Sequence, residues 1–196
     1  MAKLYFRYSA MNSGKSSALI QAAHNYEERG MHVVVIKATI DTKGQDRVVS
    51  RLGISRKVDI LLHPNDSATE MLDKAYKKRP FVCVLLDEAQ FITASQAEEF
   101  FWYAVNADIP VLAYGLRADF ATNGFPGSTR LLELAHELQE LKTICRCGKK
   151  ALFNGRKING KFVSEGNQVA IEDQADIEYE SLCAQDYQKL VLGKTD

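Results

Sequence analysis

Ser9-Ala-Met-Asn-Ser-Gly-Lys-Ser16 lies between a short apolar run and a stretch with helical spacing. Its register is that of G-x-x-x-x-G-K-[ST], with Ser9 in the place of the first glycine. Such a loop wraps phosphate oxygens in backbone N–H groups at a helix N-terminus. In that chemistry Gly14 lets the backbone approach the anion, Lys15 reaches the β- and γ-phosphates, and the Ser16 hydroxyl is a Mg²⁺ ligand. A second pattern supports the first. Phe81 to Leu86 is continuously apolar and ends in Asp87-Glu88, the arrangement of a Walker B strand. Asp87 would hold Mg²⁺, directly or through water, and Glu88 would be free to take a proton. Burial beside Asp87 is expected to raise the pKa of Glu88. Either motif alone could be an ordinary turn or a strand ending in solvated acids. Together they point to a nucleotide-binding kinase, motor or switch.

The elements that must carry these residues alternate. Lys3 to Tyr8, His32 to Lys37, Phe81 to Leu86 and Pro110 to Tyr114 are short, apolar and rich in β-branched or aromatic residues, as buried strands are. Helices are expected over Ser16 to Arg29, closed by Gly30; over Ser67 to Lys78, with a Ser67/Glu70 capping box; and over Ser95 to Ala107, capped by Ser95. That alternation implies crossover units, a largely parallel sheet and an α/β fold. The segment from Thr42 to Arg56 is polar and basic and is expected to be a flexible loop. From about Cys145 the texture changes to Gly, Asn, Lys and scattered β-formers. The expected division is therefore an α/β domain over 1–143 and a small appended domain over 144–196.

Composition narrows the class. The chain has 196 residues, room for one sizeable core or a core with a small module. Lys+Arg and Asp+Glu are both 25, so no broad basic footprint for nucleic acid is expected. Met1-Ala2-Lys3 leads straight into the first expected strand, so no secretion signal is expected, and no apolar run is long enough to span a bilayer. Four cysteines in such a chain suit metal ligation or core packing in a reducing compartment, with the cytoplasm as the expected location.

Asp87-Glu-Ala-Gln-Phe91, taken with Ser9 to Ser16, Tyr114-Gly-Leu-Arg-Ala-Asp-Phe120 and Leu141-Lys-Thr-Ile-Cys-Arg-Cys-Gly148, closely resembles the type II thymidine kinases along nearly the whole chain. The resemblance implies a P-loop, RecA-like sheet with helices on both faces and a small C-terminal zinc-binding lasso domain. It also implies transfer of the ATP γ-phosphate to the 5′-hydroxyl of thymidine, and of deoxyuridine, to give dTMP in nucleotide salvage for DNA synthesis. Glu88 matches the catalytic base. Ser9, Ala10, Met11, Asn12, Ser13, Gly14, Lys15 and Ser16 match the first ATP-binding segment, and Asp87, Glu88, Ala89 and Gln90 the second. Asp41 and Lys43 align with an Asp-x-Arg segment near the phosphates, Lys43 standing where arginine is usual; Arg47 or Arg51 could supply that charge, although either also suits a solvated loop. Phe120 matches the aromatic of the thymine pocket. Arg117 and Asp119 could orient each other or the sugar. Gln168, Val169, Ala170, Ile171 and Glu172 match the loop that covers the nucleoside, and Tyr179 the aromatic beside the thymine methyl. Glu172-Asp173 stand where the family has glycines, which allow backbone conformations that Glu and Asp resist.

By the same resemblance Cys145, Cys147, Cys183 and Asp186 hold structural zinc. Asp186 stands where the family has cysteine or histidine, so water or a histidine remains open as the fourth ligand. Cys83, inside an apolar strand, is expected to be a core residue. The family further implies ATP-Mg as cofactor, a homotetramer and feedback inhibition by dTTP, with neither nucleic acid nor membrane as partner. The competing class is a zinc-ribbon P-loop ATPase acting on nucleic acid. That class ordinarily needs a second motor domain or a trans arginine, and a basic stripe, which this neutral chain does not show.

Overall fold

The computed structural model describes residues 1–40, 46–168 and 176–194. The chain begins with β1 (Leu4–Ser9), α1 (Lys15–Glu27) and β2 (Val33–Ala38). A hairpin of β3 (Arg47–Val49) and β4 (Ser55–Lys57) follows, then β5 (Ile60–Leu62), α2 (Ala68–Lys78) and β6 (Cys83–Asp87). A single 3-10 turn, Ala89–Phe91, leads into α3 (Ala94–Ala107), β7 (Val111–Leu116), α4 (Pro126–Leu134) and β8 (Glu137–Glu140). The remainder is β9 (Thr143–Ile144), β10 (Lys150–Ala151), β11 (Phe153–Ile158), β12 (Lys161–Val163), β13 (Ile177–Leu182) and α5 (Ala184–Leu190).

A six-stranded sheet in the order β5-β2-β6-β7-β1-β8 forms the centre, and every pairing in it is parallel. Its strands are apolar without strict alternation because both faces are covered. Val34, Ile36, Val84, Leu86, Val111 and Ala113 point to the face packed by α2, α3 and α4. Their neighbours Val33, Val35, Cys83, Leu85, Leu112 and Tyr114 point to the face packed by Leu19 and Ala23 of α1. Cys83 is fully buried there, and burial lifts its thiol to about 12, so it behaves as a core residue. A third, smaller cluster joins Cys145, Ala151, Leu182, Cys183, Tyr187 and Val191 beneath the antiparallel sheet β12-β11-β13. Among the described residues no helix is long and apolar enough to cross a membrane.

Three local expectations change. The cap of α3 is Thr93, whose hydroxyl accepts from the Gln96 N–H while the Gln96 side chain accepts from the Thr93 N–H; Ser95 lies inside the helix. Ser67 does cap α2, accepting from the Glu70 N–H at 3.3 Å. The carboxylate that completes the arrangement, however, is Glu99 of α3, which accepts from the Ser67 hydroxyl and the Thr69 N–H at 2.8 Å each. The third correction is the basic stretch after position 45, which forms a hairpin. Val48 is buried against α1, and Gly53 turns the chain at φ +81°. Arg56 anchors the hairpin to α1 through two 2.7 Å bonds to Glu27, and the Ser50 hydroxyl meets that of Ser17.

α4 approaches the 3-10 turn so closely that a Cβ on Gly127 would lie 2.4 Å from the Ile92 carbonyl oxygen and 2.9 Å from that of Ala89. Gly127→Ala is therefore expected to cost about 1–3 kcal/mol, since neither backbone atom can yield without moving the turn. A chemical denaturation midpoint unchanged from the wild type would contradict this packing.

Candidate active site

In a parallel sheet all strand exits lie on one edge, and ligands gather there. β1 leaves that edge into Ser9 to Ser16. Gly14, at φ +81°, precedes α1 without a side-chain cap, and the first intrahelical bond runs from the Ala18 N–H to the Gly14 carbonyl at 2.9 Å. The N–H groups ahead of Ala18 thus have no helical acceptor, which makes an anion site. Asn12 also takes positive φ, 64°, which its short amide side chain tolerates. Ser9 closes β1 in extended backbone, so that position needs no glycine. Its hydroxyl instead binds the Ala10 carbonyl and the Ser13 hydroxyl and accepts from the Lys15 ammonium at 3.0 Å. Burial lowers the Lys15 pKa to about 8; Glu88 and Asp87 oppose that shift, and Arg51 adds to it. All three charged groups are therefore close to the ammonium.

β6 ends in Asp87, which is only 4% exposed. Burial first, and the adjacent Glu88 second, raise its carboxyl to about 7. Glu88 stands at the cleft with its backbone in the left-handed region, φ 52° and ψ 39°, a conformation uncommon outside glycine. Gln90 fixes its carboxylate. The Gln90 amide nitrogen donates to Glu88 Oε2 at 2.6 Å, and its oxygen accepts from the Leu116 N–H of β7 at 3.1 Å. Gly115 makes room, since a Cβ there would sit 3.0 Å from the Gln90 backbone nitrogen and 3.1 Å from its side-chain oxygen.

These groups line one cleft of about 620 Å³. Ser13, Gly14, Lys15, Ser16, Arg51 and Glu88 mark a polar end, and Phe91, Phe120, Phe125, Gln168 and Tyr179 an aromatic end. Met11, Asn12 and Gln90 also reach the cleft, whereas Ala10, Asp87 and Ala89 are buried beneath it. Of the two alternative cations, Arg51 faces the cleft and Arg47 turns to the Ser55 hydroxyl at 2.8 Å. Asp119 is committed to its own turn, accepting from the Ala121 and Asn123 N–H groups, and to the Gln168 side chain at 3.0 Å. Asp41, Lys43, Val169, Ala170, Ile171 and Glu172 lie outside the described residues.

The C-terminal strands hold the loop from the far side, which no motif announces. Buried Asn154 of β11 accepts from the Met11 N–H at 2.7 Å and donates to the Ala118 carbonyl at 2.8 Å. Ser181 of β13 donates to the Met11 carbonyl at 2.5 Å, and the Asn12 amide reaches the Tyr179 carbonyl at 3.3 Å. The Met11 N–H is consequently committed to Asn154, while Ser13, Gly14, Lys15 and Ser16 line the cleft.

The ligating atoms of Cys145, Cys147, Cys183 and Asp186 all lie within 4.8 Å of one another. The Cys147 and Cys183 sulfurs are 3.6 Å apart, and Asp186 Oδ2 is 3.0 Å from the Cys145 sulfur. A tetrahedron with Zn–S bonds of about 2.3 Å has edges of about 3.8 Å, so the donors fit that ion. The Asp186 N–H, at 3.4 Å, is the main influence lowering the Cys183 pKa, whereas burial raises Cys145 to about 11. The same geometry brings β9, β13 and α5 together over a core of few residues.

The thymidine kinase family model matches residues 2–187. The chain is 46% identical to the thymidine kinase of Ruegeria pomeroyi over 93% of this chain and 92% of the relative. It is 44% identical to that of Shewanella oneidensis, covering 97% of this chain and 99% of the relative, and 44% identical to that of Enterobacteria phage T4, covering 97% of each. Elemental analysis of the purified protein is expected to find about one zinc per chain, lost in Cys183→Ser. Stripping such an ion should lower the melting temperature, because it would cross-link a C-terminal core of few residues. A melt indifferent to the metal would remove its structural role.

Proposed function

Because the chain belongs to the thymidine kinase family, we propose that it transfers the γ-phosphoryl group of ATP to the 5′-hydroxyl of thymidine, giving dTMP and ADP. The carrying observation is that Lys15, Glu88 and an aromatic end share one cleft. Phosphoryl transfer asks mainly for positioning and charge neutralisation, and an alcohol nucleophile asks for a carboxylate within reach. The amides from Ser13 to Ser16 and the Lys15 ammonium receive the β- and γ-phosphates. Arg51 adds a second cation from the hairpin. Ser16 and Asp87 are the residues to hold Mg²⁺, which would neutralise phosphate charge; the raised pKa of Asp87 reflects a buried acid that a cation would keep ionised. Gln90 aims the Glu88 carboxylate. Glu88 takes the proton of the 5′-hydroxyl as that oxygen bonds to the γ-phosphorus, and the bond from phosphorus to the β–γ bridging oxygen breaks, leaving ADP.

Phe120 and Tyr179 supply flat walls for the base, with Gln168 beside them in the cleft, and residues 169–172 are assigned to the nucleoside by their match to the family's substrate-covering segment. Deoxyuridine, which lacks only the methyl group, is a second acceptor. The reading extends to nucleotide salvage for DNA synthesis in the cytoplasm, a homotetramer, inhibition by dTTP, Cys145, Cys147, Cys183 and Asp186 as a structural zinc site, and a division into domains over 1–143 and 144–196. It assigns neither nucleic acid nor membrane as partner.

Glu88→Gln is expected to keep ATP affinity and to lower kcat by about 10²–10⁴-fold, the usual contribution of a general base. Near-normal turnover would remove Glu88 from the mechanism. Lys15 generates a pH test. In the free protein its pKa is near 8, so the charged form that phosphate recruits is nearly complete below pH 7 and declines above pH 8. The Asp87 carboxyl titrates near 7 in both proteins, so the comparison is made above it: ATP affinity should fall from pH 8 to 9 in the wild type but hold over that range in Lys15→Arg, whose guanidinium keeps its proton. Parallel profiles for the two proteins would contradict the role of Lys15.

A further inference from the structure

Among the described residues, the reaction described above leaves one buried cation without a task. Arg156, in β11, is 3% exposed. Its guanidinium lies 3.6 Å over the centre of the Phe120 ring. Nε donates to the Tyr179 phenol oxygen at 2.9 Å, Nη1 to the Asn167 carbonyl at 2.7 Å, and Nη2 to the Gln168 carbonyl at 2.9 Å. Gly166 brings the chain in at φ +133°, and a Cβ there would stand 3.5 Å from Nη1 and 3.8 Å from Phe120 Cζ. One side chain thus joins three segments distant in sequence: the exit of β7 at Phe120, strand β13 at Tyr179, and the start of the segment that follows Gly166.

Each donor direction of the fork has a different duty, which a core filler would not need. The ring stack and the phenol fix the guanidinium plane, and the two terminal nitrogens are then aimed at consecutive carbonyls. A lysine could supply charge there but not two parallel donors in a fixed plane. Phe120, Tyr179 and Gln168 all line the aromatic end of the cleft, while Arg156 itself stands behind them. A binding segment pinned at its start loses less freedom when a ligand arrives, and that preorganisation shows as affinity.

We propose that Arg156 is a positioning residue for the nucleoside: it pins Asn167 and Gln168 onto the wall formed by Phe120 and Tyr179, so that the aromatic end of the cleft exists before the nucleoside binds. The inference rests on thymidine being the acceptor, and it assigns Arg156 no contact with the reacting atoms. Its effect is confined to one end of the cleft. The phosphate end is held separately, through Asn154 and Ser181 on Met11.

The test compares wild type, Arg156→Lys and Arg156→Met by steady-state kinetics with thymidine and ATP varied separately. Losing the fork is expected to raise the thymidine KM about tenfold or more in both variants, with the ATP KM and kcat within about twofold of wild type. Arg156→Lys should not rescue, because the carbonyl fork rather than the charge carries the effect. A purely structural role would instead lower kcat through a smaller active fraction, with the thymidine KM unmoved, and that result overturns the proposal. So does rescue by Arg156→Lys. Should neither variant fold, a crystal structure of the unmodified protein without nucleoside decides: Asn167 and Gln168 carbonyls seated on the Arg156 guanidinium support the pin, and carbonyls displaced from it overturn the proposal. If wild type itself phosphorylates no thymidine, it is the kinase reading that fails.

Discussion

The parallel sheet constrains everything else. Strands that all run the same way deliver their C-terminal ends to one edge, so β1, β6 and β7 release the anion loop, the acidic pair and the Phe120 segment side by side. β7 stands between the two motif strands, which leaves the width of one strand between the β1 exit and Asp87. That placement lets Glu88 and Lys15 sense each other electrostatically and share a cleft. The left-handed backbone at Glu88 is the local cost of turning the carboxylate off the strand axis, and the Gln90 bridge to Leu116 holds the turn in place.

The C-terminal strands complete this arrangement from outside the sheet. Asn154 and Ser181 hold the middle of the anion loop, while Arg156 and Tyr179 border the aromatic end. Both ends of the cleft therefore depend on β11 and β13, two strands paired over six residues and joined to the cysteine cluster through Cys183. A metal at that cluster, more than a purely local staple, would stiffen the platform from which Asn154 and Arg156 act. The charges divide in the same way. Lys15, Arg51, Asp87 and Glu88 gather at the polar end, whereas Arg156 at the other end is stacked on a ring and bonded to neutral oxygens.

The elements that repeat a simple period were legible. The four central strands, the three helices before Asp108 and the strand–loop–helix around Gly14 follow from apolar runs, helical spacing and a glycine-lysine-serine register. The cap assignments were harder. Thr93 and Ser95 are both good caps, and only the reach of Gln96 back to the Thr93 N–H separates them. Glu99 replaced Glu70 as the acid at the α2 terminus because a neighbouring helix placed it there, which local sequence does not encode. The hairpin β3-β4 has strands of only three residues each, with Val48 as the one fully buried anchor, too little periodicity to stand out from a basic loop. In the site, Lys15, Glu88 and the cysteine cluster were visible because their spacing is tied to their chemistry. Asn154, Ser181 and Arg156 were not, because each acts through contacts made only when chain segments remote in sequence meet. The raised pKa of Asp87 was not legible for a related reason: burial depends on what packs over the strand end, and the strand end itself reads the same either way.

The central claim is that the anion loop and the Glu88 carboxylate act on the same phosphoryl transfer. A crystal structure with thymidine and a non-hydrolysable ATP analogue tests it most directly. The account predicts the γ-phosphate within the Ser13 to Ser16 amides and a Glu88 oxygen about 2.6–3.2 Å from the 5′-oxygen of the nucleoside, directly or through one water. A nucleoside whose 5′-oxygen points away from Glu88, with the triphosphate still seated on the loop, would contradict it.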